Sequence, residues 1–216
     1  MVYTLEQIIV FLASLPAVLA ATFVGAVRFR YVTPALRTLC LLISFAFLTE
    51  IVSRAMWLTK TSNLFLWPVY TSVEFGLLIW MYSLNLGSAV LVQFRIWLIV
   101  AFVSTVVGLE FFSPTHLLIS NAARLIESVG VIILTLVFFY RTFQELIVRR
   151  LEREPMFWVS SGLLLFFSGN LFVFIFANFV LNYSQKLNYQ LWIVHAVLNA
   201  FLYSAYTYAL WISPKK

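Results

Sequence analysis

Apolar residues along this chain come in runs of about 20, long enough to cross a bilayer as helices, with short polar connections between them. Seven such runs stand at residues 5–27, 36–57, 64–85, 95–112, 117–140, 156–181 and 190–212. Hydrocarbon offers no partner to an unpaired N–H or C=O, so runs of this length predict helices rather than strands or coil. The fourth is the shortest. The longest polar stretch, RTFQELIVRRLEREP at 141–155, predicts a short amphipathic extension of the fifth helix that Pro155 stops. The pattern predicts an all-α membrane protein: one seven-transmembrane helix bundle over residues 1–216, with no soluble domain and no internal repeat.

Charge sets the expected direction of the chain. The leader MVYTLEQ has no Lys or Arg and carries Glu6, the opposite of a basic signal-peptide region, so the first run reads as a retained helix. Connections on one side hold Arg28, Arg30, Arg37, Arg95, Arg141, Arg149, Arg150, Arg153, Lys215 and Lys216, against Lys60 and Lys186 on the other. Cytoplasmic loops collect Lys and Arg, so the expectation is N-terminus outside, C-terminus inside, in a multi-pass protein of a bacterial inner membrane.

Composition agrees and narrows the chemistry. Of 216 residues 63% are hydrophobic and 10% charged, where a soluble domain carries about 25% charge. The formal charge of +6 lies in the connections, which makes it a topology signal rather than a nucleic-acid patch. All eight acidic residues are Glu, so chemistry that rests on an Asp has no candidate. Cys40 stands alone, which excludes an internal disulfide and a multi-Cys metal site. With two His in the chain no metal site is expected, and no cofactor is implied.

A charged side chain in mid-membrane costs about 2.5–3.5 kcal/mol on insertion scales, so each one calls for a reason. Five lie within the runs: Glu50, Arg54, Glu74, Arg124 and Glu127. Glu50 and Arg54 are spaced i,i+4, Arg124 and Glu127 i,i+3 with Asn121 one turn earlier, and Tyr70 with Glu74 and His195 with Asn199 i,i+4. Neighbours at these spacings share a helix face. Asn170 adds an amide to the sixth run, and Asn178 another near its end. With alternate helices antiparallel, these groups fall at similar depth towards the outer surface. The expectation is one outward-opening polar cavity between helices two, three, five, six and seven, floored by Phe166, Phe167 and Tyr203. Helices one and four, which offer nothing stronger than Ser or Thr, are expected to face lipid. Two Arg and three Glu can also neutralise one another as a packing network, leaving one excess negative charge.

The segments PMFWVSSGLLLFFSGNLFVFIF from Pro155 and WIVHAVLNAFLYSAY from Trp192 resemble the last two spans of seven-helix sensory modules found in front of some bacterial histidine kinases. Pro155, Phe157, Trp158, Gly162, Ser168, Asn170 and Phe172 carry the resemblance, with Tyr70 and Glu74 in NLFLWPVYTSVEF. It implies sensing of an extracellular or membrane cue. No kinase segment follows WISPKK here, so a separate cytoplasmic partner is expected, docking at 141–155.

Other families with the same topology fit less well. The seventh run has no lysine for a retinal Schiff base, which excludes a rhodopsin. Small seven-helix sugar transporters would show a Pro-Gln pair and a three-helix duplication, absent here. Glu50-x3-Arg54, Phe112-x3-His116 and His195-x3-Asn199 loosely resemble the motif order of intramembrane glutamate proteases, with Thr49 where a second Glu stands in that family. The leading expectation is a receptor-like sensor, not an enzyme. It binds a small or amphiphilic ligand through Glu50, Arg54, Tyr70, Glu74, Asn121, Arg124, Glu127, Asn170, His195 and Asn199. A transporter, a structural subunit of a membrane complex and a hydrolase are the alternatives.

Overall fold

The computed structural model describes residues 15–112, 116–144, 151–181 and 185–214. Seven α-helices run through them: α1 (Leu15–Arg28), α2 (Pro34–Leu58), α3 (Leu66–Leu86), α4 (Ala89–Phe112), α5 (His116–Gln144), α6 (Pro155–Leu181) and α7 (Gln185–Ile212), with a 3₁₀ turn at Leu151–Arg153. By length and composition five of them, α2, α4, α5, α6 and α7, can cross a membrane, and α1 is a shorter apolar helix in its described part. The architecture fits a helical membrane protein.

The interior is a hydrophobic core as in a soluble bundle, but the exterior is apolar too and several polar groups are buried. Bulky apolar groups face outward, among them Phe23, Ile96 and Trp97, while Thr71, Glu74, Arg124, Glu127, Ser128, Thr135, Ser160 and Asn170 are buried. A large apolar exterior of this kind is stable in lipid and aggregates in water.

Six helices close a ring in the order α1, α2, α3, α5, α6, α7 and back to α1, and α4 packs outside it against α3 and α5. The position of α1 corrects the sequence expectation. Val18, Ala21 and Gly25 are buried, and Cys40 Sγ and Leu210 Cδ1 lie 3.7 Å from the Gly25 Cβ position, at ordinary packing distance. Small residues let helices approach closely, and polarity alone did not reveal that α1 has such a face. By contrast α4 is the outlying helix, only 11% of its apolar window being buried.

The fourth helix is also longer than its apolar run suggested, at 24 residues against 21 for α3. It starts at Ala89, with only Gly87 and Ser88 between it and α3, because Gly87 adopts φ 57° and turns the chain sharply. Arg95 is tolerated in it because its guanidinium stacks 3.9 Å above the Trp80 ring and Nη1 reaches Ser83 Oγ at 3.5 Å.

Helix ends are tied to one another by arginines. Arg28 donates to Ser213 O at 3.2 Å and to Trp211 O at 2.9 Å, satisfying carbonyls at the end of α7. Arg141, in the last turn of α5, donates to Leu86 O at the end of α3 at 2.8 Å. Of the stretch expected to extend the fifth helix, α5 takes in residues up to Gln144, and 145–150 lie outside the described residues.

Candidate functional site

The ring encloses a cavity of about 150 Å³. It lies between the late part of α2, the start of α3, the first half of α5, the later half of α6 and the middle of α7. From α2 come Ala46, Thr49, Glu50 and Ser53, four positions on one helical face. Asn63, in the connection to α3, donates to Ser53 Oγ at 2.7 Å and ties that connection to the wall.

The charged centre spans two helices. Arg124 Nη1 of α5 donates to Glu74 Oε2 of α3 at 2.8 Å and to Glu127 Oε2 of its own helix at 2.9 Å. Tyr70 donates its hydroxyl to the other Glu74 oxygen at 3.1 Å. The guanidinium also sits 5.1 Å from the ring centroids of both Trp67 and Tyr70, so aromatic faces share its charge. All of this is enclosed: Glu74, Arg124 and Glu127 are 4%, 7% and 0% exposed. Two carboxylates share one guanidinium, which leaves one negative charge if all three are ionised.

Two further clusters complete the walls. Glu50 and Arg54 pair along α2, Arg54 Nε reaching Glu50 Oε1 at 3.0 Å. Across the cavity His195 Nδ1–H of α7 donates to Asn170 Oδ1 of α6 at 2.6 Å, leaving Nε2 as an acceptor. Phe166, Phe174 and Trp192 surround the imidazole at 5.8, 6.3 and 5.6 Å between ring centroids.

The sequence-derived site residues divide as follows. Glu50, Tyr70, Glu74, Arg124, Asn170, His195 and Asn199 line the one cavity, as do Phe166, Phe167 and Tyr203. Arg54 and Glu127 are not on its wall and reach it through their partners Glu50 and Arg124. The side chains of Asn121 and Asn178 lie outside the described residues. Eight lining residues were not among those expected there, three of them informative. Val18 comes from the helix assigned to lipid, Trp67 stands three and seven residues before Tyr70 and Glu74, and Phe174 is i+4 from Asn170. The helical spacing of the last two was the available signal.

Some polar atoms of these lining residues are closed off without a partner. Arg124 Nε, Asn170 Nδ2 and Asn199 Oδ1 are buried with no hydrogen-bond partner in the protein. Each such group costs about 1–3 kcal/mol while it stays unpaired. Among the described residues no three His, Cys, Asp or Glu side chains gather as a metal-binding group. No protein-family model, curated protein or solved structure matches the chain.

Proposed function

We propose that this protein is a receptor-like membrane sensor that binds a small ligand in the cavity between α2, α3, α5, α6 and α7. The observation that carries the reading is the convergence of Glu74, Arg124, Asn170 and His195, from four helices, on one partly open cavity with unpartnered buried polar atoms. A network serving only to hold helices together would satisfy its own donors and acceptors. At about 150 Å³ the space suits a molecule near the size of benzene and is too small for the usual drug-sized ligand.

Orientation and span count belong to this proposal. Arg28, Arg37, Arg95 and Arg141 lie at or near helix ends on one side of the bundle, and the cavity is at the other. With the basic side in the cytoplasm, all seven helices cross the membrane, the N-terminus is outside and the cavity faces out. The setting is a bacterial inner membrane.

The route of output is α5. It grips α3 near the cavity through Arg124 and Glu74, and again at the far end through Arg141 and Leu86 O. A ligand that alters the first contact shifts the second, and with it the connection 141–155 where a cytoplasmic partner docks. The 3₁₀ turn in that connection is held on α6 by Trp158 Nε1–H donating to Glu152 O at 3.0 Å. Hydrolysis is the weaker reading, because Glu50 is engaged by Arg54 and His195 by Asn170, so neither is set to activate water with the other.

The test is a thermal-shift screen of molecules up to about ten heavy atoms on the purified protein in nanodiscs. Binders are expected, and filling the cavity with Thr49→Phe abolishes their effect while the protein stays folded. A screen without binders, or binders indifferent to that substitution, rejects the reading.

A further inference from the structure

The same cavity carries information about the charge of what it binds, and the following rests on the ligand-binding reading above. Its charged residues are Glu50 and Arg54 on α2, Glu74 on α3, and Arg124 and Glu127 on α5. Ionised, they sum to one excess negative charge in a site walled by low-dielectric helix and lipid. Two carboxylates, Glu50 and Glu74, are themselves on the cavity wall, while the guanidinium of Arg124 is turned to Glu74 and Glu127. A neutral acceptor adds to this: the imidazole that gives Nδ1–H to Asn170 keeps Nε2 as an acceptor. Around them stand Trp67, Phe166, Phe167 and Phe174, whose ring faces favour a cation.

We infer that the ligand is a small organic monocation, an ammonium on an apolar body of benzene size, whose charge neutralises the cavity. An anion meets two carboxylates and finds the guanidinium on the wall, that of Arg124, already shared between acceptors. A neutral molecule fills the space yet supplies no counter-charge for the third carboxylate, since three Glu face two Arg here. Burying an uncompensated charge is the larger penalty. The ammonium can come from a free amine or from the headgroup of an aminophospholipid.

Three probes of one shape and different charge decide this: benzylammonium, benzyl alcohol and benzoate, titrated by calorimetry against the full chain in phosphatidylglycerol nanodiscs. Benzylammonium is expected to bind at least about tenfold more tightly than benzyl alcohol, a difference of about 1.4 kcal/mol, with benzoate weakest. Glu127→Gln, which removes the excess charge behind the wall without reshaping the cavity, is expected to erase that preference and leave benzyl alcohol unchanged. Repeating the titration with phosphatidylethanolamine in the disc separates the sources: weakened benzylammonium binding assigns the ammonium to a lipid headgroup, undiminished binding to a free amine. Benzyl alcohol or benzoate binding as well as benzylammonium overturns the charge assignment and leaves the cavity reading standing. No binding by any of the three overturns both.

Discussion

Arg124 reaches across from α5 to hold Glu74 of α3 at 2.8 Å, joining positions separated by 50 residues through a pair almost wholly closed to solvent. The same nitrogen holds Glu127 at 2.9 Å. The two N–H groups of that one nitrogen serve the two carboxylates, and the rest of the planar guanidinium lies beside the Trp67 and Tyr70 rings.

Removing the centre of that triad is therefore expected to be far worse than removing an edge. Arg124→Met strands two buried carboxylates and should cost about 3–5 kcal/mol. Glu127→Gln keeps the volume and the hydrogen bond to Arg124 and should cost much less. Thermal unfolding of the detergent-purified variants measures both. A smaller loss for Arg124→Met than for Glu127→Gln contradicts the assigned geometry.

The pair on α2 is a different case. The Glu50 side chain is 35% exposed and its partner is one turn away on the same helix. Glu50→Gln is expected to change stability by less than about 1 kcal/mol, the range of solvent-screened pairs, while weakening any cationic ligand of the cavity. Comparing unfolding temperature with ligand titration separates the two effects.

His195 and Asn170 tie α7 to α6 through one short hydrogen bond inside an aromatic collar. Asn170→Leu removes the acceptor and leaves the imidazole N–H buried without it, at a cost of about 1–3 kcal/mol. Adding His195→Phe should recover much of the loss, because an apolar pair of similar shape buries no unpaired donor. A double-mutant cycle on thermal stability reads the coupling.

Close packing of α6 on α7 depends on Gly162. A Cβ there would lie 2.9 Å from Ala205 Cβ and 3.8 Å from Leu202 Cα, on a facing helix that has no long side chain to swing aside at Ala205. Gly162→Val is expected to push the helices apart and lower the unfolding temperature, at a cost of about 1–3 kcal/mol. Gly108, on the outlying α4, has open space at its Cβ position and should accept alanine with no loss.

How much of this was legible beforehand follows from what hydropathy measures. Runs of apolar residues about 20 long already imply helices in lipid, since nothing else satisfies the backbone there, and the i,i+3 and i,i+4 spacings name which polar residues share a face. From these alone Glu50 with Arg54, Tyr70 with Glu74, and Arg124 with Glu127 could be paired, and the structure contains all three contacts.

Which face of each helix meets which neighbour was decided only by the tertiary structure. Helices that are apolar on nearly every face, such as α4 and α6, carry no clear stripe to show their rotation about the axis. So α1 lies in the ring and α4 outside it, Arg124 takes Glu74 rather than Glu50, and His195 takes Asn170 rather than a glutamate. Those choices depend on side-chain volume and geometry between segments far apart in the chain, on a group as small as Gly162. Local periodicity carries no record of them.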